Sequence, residues 1–168
     1  MKIMALDAGT KSTGVAIFND KKLERYECFT ASSTDLIKRI SKIIAQLEQI
    51  LQEEEIDEII LEEVRPDAEI SGFKNIKTHK ALMYLQAAIV FLIHERFKYI
   101  KITFVYPSEW RKGCSIKTGA GVRRESLKAQ DIAFVKEQYG IDVNDDIADA
   151  IGIGHSYVNQ FKNEINWE

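Results

Sequence analysis

The chain has 168 residues, 45% of them hydrophobic, which fits one domain with a full core. Its two isolated cysteines, Cys28 and Cys114, with no CxxC and no Cys/His pattern, argue against a disulfide scaffold and a structural zinc site and suit a reducing compartment. No signal peptide is legible and the longest apolar run, residues 87–93, falls far short of the roughly 20 residues of a membrane span, so a cytoplasmic protein with no membrane partner is expected.

Residues 2–7 form a short apolar run, predicted as a buried strand. Residues 13–18 and 23–29 read as two more strands, with Gly9 and Gly14 punctuating the first turn and Asn19-Asp20 the second. The three make an antiparallel meander. Ser32, Ser33 or Thr34 then caps a helix whose apolar residues Ile37, Ile40, Ile44, Leu47 and Leu51 are spaced 3, 4, 3, 4, and Glu53-Glu54-Glu55 ends it. Residues 59–61 are a strand apolar on both faces, as a central parallel strand is. An irregular loop over 64–75 leads to a long helix over 76–97. That helix is apolar nearly all round between 87 and 93, so it either lies central in the domain or also meets a partner subunit. Residues 102–105 give a fifth strand closed by Pro107. A stretch marked by Gly113, Gly119 and Gly121 precedes a helix over 122–139, stopped by Gly140, and Asn144 caps the last helix. The order β-β-β-α-β-α-β-α-α predicts a single α/β domain over 1–168: a mixed five-stranded sheet with helices on both faces, the pattern of an RNase H-like fold.

Acids stand at three places in this frame. Asp7 ends the first strand, Glu62 (with Glu63 beside it) ends the fourth, and Asp146 and Asp149 open the last helix. In an open sheet with crossover helices, sites form at the carboxyl ends of strands. Asp at i and i+3 share one helix face, so the helix laid over those strand ends closes a cluster of four carboxylates. Each position alone has an ordinary explanation: Asp7 as a turn cap, Glu62 as one charge in an acidic stretch, Asp145 and Asp146 as first-turn acids favoured by the macrodipole. Asp149, one turn deeper and between alanines, has no capping role. Glu62 and Glu63 face opposite sides of a strand, so only one joins the cluster. Together the four point to a metal site. Oxygen-only ligands with no His or Cys suit Mg²⁺ or Mn²⁺, and two such ions can clamp the attacking and leaving oxygens of a phosphodiester. His79, His94 and His155 show no metal-ligand spacing and read as structural or surface groups.

The segments "MALDAGTKSTGVAIF", "IILEEV" and "NDDIADAIGIGHS" resemble the RuvC family of Holliday-junction resolvases, in its bacterial and phage RuvC-like branch. The resemblance matches Asp7 to an Asp-x-Gly turn after the first strand and Glu62, rather than Glu63, to an apolar-Glu-x-Val motif. It matches Asp146 and Asp149 to a D-x-x-D-A motif, and "KALMYLQAAIVFLI" to the family's long interface helix. It implies catalytic and metal-binding roles for Asp7, Glu62, Asp146 and Asp149. It further implies two Mg²⁺ or Mn²⁺ ions per active site, no small-molecule cofactor, and a homodimer that nicks two symmetry-related strands of a four-way DNA junction, leaving 5′-phosphates. Two departures stand out. Arg65 occupies the position where the family often has an aromatic, with Phe73 the nearest substitute. Arg124 is the best match for a lysine at the start of the penultimate helix.

Net charge is −3, yet residues 65–128 hold 13 Lys+Arg against 5 Asp+Glu, while the remainder holds 10 against 21. The basic segment is either an ordinary solvated surface or a polyanion-facing one. In the second case Phe73, Lys74 and Lys77, with Lys80, flank the loop after Glu62. Arg111, Lys112, Lys117, Arg123, Arg124 and Lys128 surround the Gly-marked loop, where phosphate contacts would bind DNA with little sequence dependence. Arg124 and Lys128 are like charges at i and i+4, which disfavours a helix unless an anion faces them. Three other readings compete. The Asp-x-Gly-Thr turn also resembles the phosphate turn of actin-like ATPases, which need two such domains and a second Gly-rich loop. An RNase H-like nuclease acting on RNA or an RNA–DNA hybrid shares the carboxylate chemistry. A non-cutting junction-binding module has little need for all four acids.

Overall fold

The N-terminal meander forms as expected: β1 (Lys2–Asp7), β2 (Ser12–Asn19) and β3 (Lys22–Thr30) pair antiparallel in turn. Asp20 closes the second hairpin with φ 52°, a left-handed conformation that Asp tolerates better than most residues. The computed structural model describes residues 1–64 and 73–160, and the side chains of 73–75 lie outside that description.

β4 (Glu58–Glu62) joins β1 in parallel and β5 (Lys101–Val105) joins β4, giving the sheet order β3-β2-β1-β4-β5. The carboxyl ends of β1 and β4 are therefore neighbours. β4 has a strand on each side and helices over each face, which is why Ile59, Ile60 and Leu61 are all fully buried.

Strand alternation divides the core into two layers. Met4, Leu6, Val15, Ile17, Ile59 and Leu61 meet α1 (Leu36–Glu53) and α2 (Phe73–Arg96). Ile3, Ala5, Ala16, Phe18 and Ile60 meet α3 (Pro107–Gly113), α4 (Arg124–Tyr139) and α5 (Asp145–Gln160). The fold is α/β, a mixed five-stranded sheet with helices on both faces. α5 lies especially close: a Cβ on Gly154 would come within 2.3 Å of the Phe18 ring, and one on Gly152 within 2.7 Å of Trp110.

Four local expectations change. The cap of α1 is Asp35, whose Oδ1 accepts the Ile37 and Lys38 N–H groups at 2.8 and 3.1 Å; Ser33 instead accepts from the Asp35 N–H. A carboxylate at the right offset for N2 and N3 takes the free donors. The buried stripe of α1 is Ile40, Ile43, Leu47, Ile50 and Leu51, with Ile37 63% exposed and Ile44 only partly buried; the 3-4 spacing holds, but the stripe is centred on Ile43 and Ile50. α2 begins at Phe73, three residues early. Pro107 does not end β5 in a loop but opens α3, where its fixed φ and missing N–H suit the first helical position, and Glu109 accepts the Tyr106 N–H at 3.0 Å.

α2 packs one side into the molecule through Leu85, Ile89, Leu92 and Ile93, while Met83, Tyr84 and Phe91 are exposed. By length and composition alone, its residues 76–96 suffice to cross a bilayer. Arg65 lies outside the described residues.

Candidate functional site

Asp7 is the last residue of β1 and pairs with Gly14, while Leu6 pairs with Leu61, so Glu62 stands one step further along the neighbouring strand. Gly14 lies within β2 and serves a close approach: a Cβ there would fall 1.8 Å from the Asp146 carbonyl oxygen. Only glycine lets the first turn of α5 rest on the strand. The Asn144 side chain accepts the Ile147 N–H at 2.9 Å and starts that helix. Asp7, Glu62, Asp146 and Asp149 thus line one open cavity of about 780 Å³, together with Asp145 and with Glu63; the latter, expected to face away, follows the last residue of β4 and reaches the lining too.

The acids perturb each other. Burial, with the negative charges of Glu62 and Asp146, pushes Asp7 up to about 8, against the pull of Arg111. Burial, the neighbouring Asp131 and the charge of Asp7 push Asp149 up to about 9. Burial also raises Glu62, although the Trp110 indole and the Arg111 guanidinium draw it back. These shifts record carboxylates short of positive charge. Arg111 stands 3.9 Å from both Asp149 Oδ2 and Asp131 Oδ2. Asp131 is 1% exposed, and both its oxygens and Asp149 Oδ1 are buried with no donor against them. Such oxygens are satisfied only by a proton shared within the pair or by a cation. Asp145 differs: the Lys128 ammonium bonds it and holds it below the usual aspartate value.

The donor set is all oxygen, it carries excess negative charge, and it includes an orphaned carboxylate oxygen; these residues fit a hard divalent cation such as Mg²⁺ or Mn²⁺. Among the described residues, no three His, Cys, Asp or Glu side chains converge closely enough to hold an ion as they stand. The four acids share a cavity rather than a closed coordination shell.

No protein-family model matches this sequence, and no curated protein matches it in sequence. Solved structures do. Thermus thermophilus RuvC in complex with a Holliday junction substrate superposes with TM-score 0.70 at 13% identity, over 99% of this chain and 97% of that one. A second Thermus thermophilus RuvC structure gives 0.69 at 13% identity, over 98% and 97%. The yeast mitochondrial Holliday junction resolvase Ydc2 gives 0.59 at 16% identity, over 98% and 82%. The chain has a RuvC-like fold. At this identity the likeness is one of architecture, and it extends across nearly the whole length of both chains.

Around the acidic floor of the cavity stand basic side chains. Lys77, Arg111, Arg124 and Lys128 line it, as does Lys11, which the sequence did not single out. Arg111 is drawn inward, its side chain 17% exposed. Within the Arg124/Lys128 pair, the Lys128 ammonium bonds the protein's own Asp145. Lys112, Lys117 and Arg123 are exposed and lie outside the cavity lining. The side chains of Phe73 and Lys74 lie outside the described residues.

Sequence reasoning also missed three groups that touch the acids. The Ser12 hydroxyl donates to Asp146 Oδ2, the Trp110 indole N–H donates to Glu62 Oε2 at 2.6 Å, and Asp131 stands beside Asp149. None of the three left a trace in the local sequence pattern. Val105 pairs with Glu62, so a large side chain shortly after β5 lands beside Glu62.

Proposed function

We propose that the protein is a divalent-metal-dependent endonuclease that resolves four-way DNA junctions as a homodimer. The observation that carries this reading is the meeting of Asp7, Glu62, Asp146 and Asp149 in one cavity, short of positive charge, at the strand ends of a full-length RuvC-like fold. That one solved neighbour is described with a Holliday junction substrate supports a branched substrate.

Asp7, Glu62, Asp146 and Asp149 would hold the metal. Mg²⁺ or Mn²⁺, as a pair, would supply an activated water and a counter-charge for the leaving 3′ oxygen. The rest falls to the chain itself. Ser12 and Trp110 hold Asp146 and Glu62 through neutral donors, leaving their charge intact. Lys128 cancels Asp145, so the cavity keeps Asp7, Glu62, Asp146 and Asp149, with Glu63, in play. Lys11, Lys77 and Arg124 on the rim contact phosphates, and Lys112, Lys117 and Arg123 extend the basic surface beyond it. Phosphate contacts of this kind make binding salt-dependent and tolerant of sequence.

The dimer surface in this reading is the outer side of α2. Met83, Ala87 and Phe91 from α2, with Phe104 from edge strand β5, line a second groove of about 550 Å³. Phe91 is 68% exposed. A two-fold dimer across this face matches the approximate two-fold symmetry of a four-way junction and sets two cavities on opposed strands.

The test is incubation of the protein with labelled four-way junction, linear duplex and RNA–DNA hybrid, each with Mg²⁺, Mn²⁺ or EDTA, beside Asp146→Asn. Paired, symmetric nicks in the junction alone, lost in EDTA and in the variant, are expected. Cleavage of the hybrid instead would keep the metal site and replace the substrate. Junction binding with no cleavage under any metal would overturn the enzyme.

A further inference from the structure

α3 is a helix of only seven residues, yet it contributes the largest fully buried side chain described, Trp110 at 1% exposure. A buried indole N–H needs an acceptor. Here the acceptor is the Glu62 carboxylate, Oε2 at 2.6 Å, 48 residues away in sequence. The backbone of Glu62 is held as well: Gln86 Nε2 on α2 donates to the Glu62 carbonyl at 2.5 Å, and the Glu63 N–H bonds Val105 O at 2.8 Å. Glu62 is thus fixed from three elements.

The ring of Trp110 makes the second connection. It lies against Gly152, three residues past Asp149 on α5, where an added Cβ would be 2.7 Å from its Cζ3. Arg111, the next residue, places its guanidinium 4.6 Å from the Trp110 ring and 3.9 Å from Asp149 Oδ2. One short helix therefore touches both the strand-borne and the helix-borne acids.

Resting on the metal reading above, we infer that Trp110 is a positioning residue for the cation site: its indole N–H orients the Glu62 carboxylate, and its ring registers that carboxylate against α5 and Asp149. The choice of donor matters. An N–H without charge occupies one oxygen and orients the group while leaving its negative charge for a cation. The Lys128 ammonium on Asp145 shows the opposite case, where the charge is cancelled. Outer partners of metal ligands typically govern 10–100-fold in affinity.

The chain has two tryptophans, Trp110 and Trp167, so Trp167→Phe leaves Trp110 alone. In that background, replacing tryptophan biosynthetically by β-(3-benzothienyl)alanine keeps the ring shape and exchanges the N–H for sulfur. Calorimetric titration with Mg²⁺, without DNA, compares the two proteins. The expected result is about tenfold weaker Mg²⁺ binding in the analogue protein. Equal affinity would overturn the positioning role and leave the metal site standing. No Mg²⁺ binding by either protein would overturn the metal reading and this inference with it. If the analogue lowers the melting temperature, Trp110 emission in the Trp167→Phe protein decides. A change that saturates with Mg²⁺ and is absent in Glu62→Gln supports the role, and emission blind to Mg²⁺ overturns it.

Discussion

β4 carries a glutamate at each end, on the same face, and the two have opposite surroundings. Glu58 is 4% exposed and fully supplied: the Thr103 hydroxyl, the Lys101 ammonium at 2.9 Å and the Tyr157 hydroxyl at 2.8 Å all point at it. Burial pushes its carboxyl up, but those donors bring it below the usual glutamate value. Glu62 has one neutral donor, and burial leaves it raised among Asp7, Asp146 and Asp149. The Glu58 end shows how this fold treats a structural carboxylate. The Glu62 end withholds that treatment from Asp7, Glu62 and Asp149. A buried charge left short of partners costs stability, so its retention points to a ligand that completes it.

The largest expected contrast lies in catalysis. Glu62→Gln and Asp149→Asn should each reduce junction cleavage by more than about a hundredfold, since even the outer partners of metal ligands cost 10–100-fold. In EDTA at about pH 9 their melting temperatures should match or exceed that of the parent, because an uncompensated charge is removed. Glu58→Ala should do the reverse. It removes the acceptor that the Tyr157 and Thr103 hydroxyls share, costing about 2 kcal/mol in urea unfolding, with cleavage per folded molecule within about twofold. If Glu58→Ala abolished cleavage while leaving stability intact, the distinction between the two ends would collapse. A smaller effect is expected away from both. Phe91→Asp, on the exposed side of α2, should convert dimer to monomer in sedimentation and replace paired nicks by single ones, without changing Mg²⁺ affinity.

Much of this was legible in the sequence because it depends on order along the chain. The strand ends at Asp7 and Glu62 follow from where apolar runs stop, and the Asp146/Asp149 pair follows from helix geometry. The partners of those acids were not legible. Ser12 reaches Asp146 across 134 positions and Trp110 reaches Glu62 across 48, distances that no local pattern encodes. α3 was hidden by Pro107, since the residue that ends a strand is equally suited to start a helix. The ion pair of Lys128 was not legible either, because its anion, Asp145, lies on the following helix. In α1, overlapping sets of apolar residues satisfied the same period, and only packing against the sheet selected Ile43 and Ile50 over Ile37.

The cation site is tested most directly by melting temperature against pH, from about 4 to 9, with EDTA or Mg²⁺, on the parent and Asp7→Asn. Unfolded aspartates lose their protons near 3.8, whereas Asp7 and Asp149 in the fold hold theirs to about 8 and about 9. The folded state therefore binds more protons across that window, and stability must fall as pH rises through it. In EDTA the parent should lose stability progressively between about pH 4 and 9 and Asp7→Asn should lose less. Mg²⁺, binding the ionised acids, should restore the parent most at the alkaline end. A parent whose melting temperature ignores Mg²⁺ at every pH would contradict the cation site.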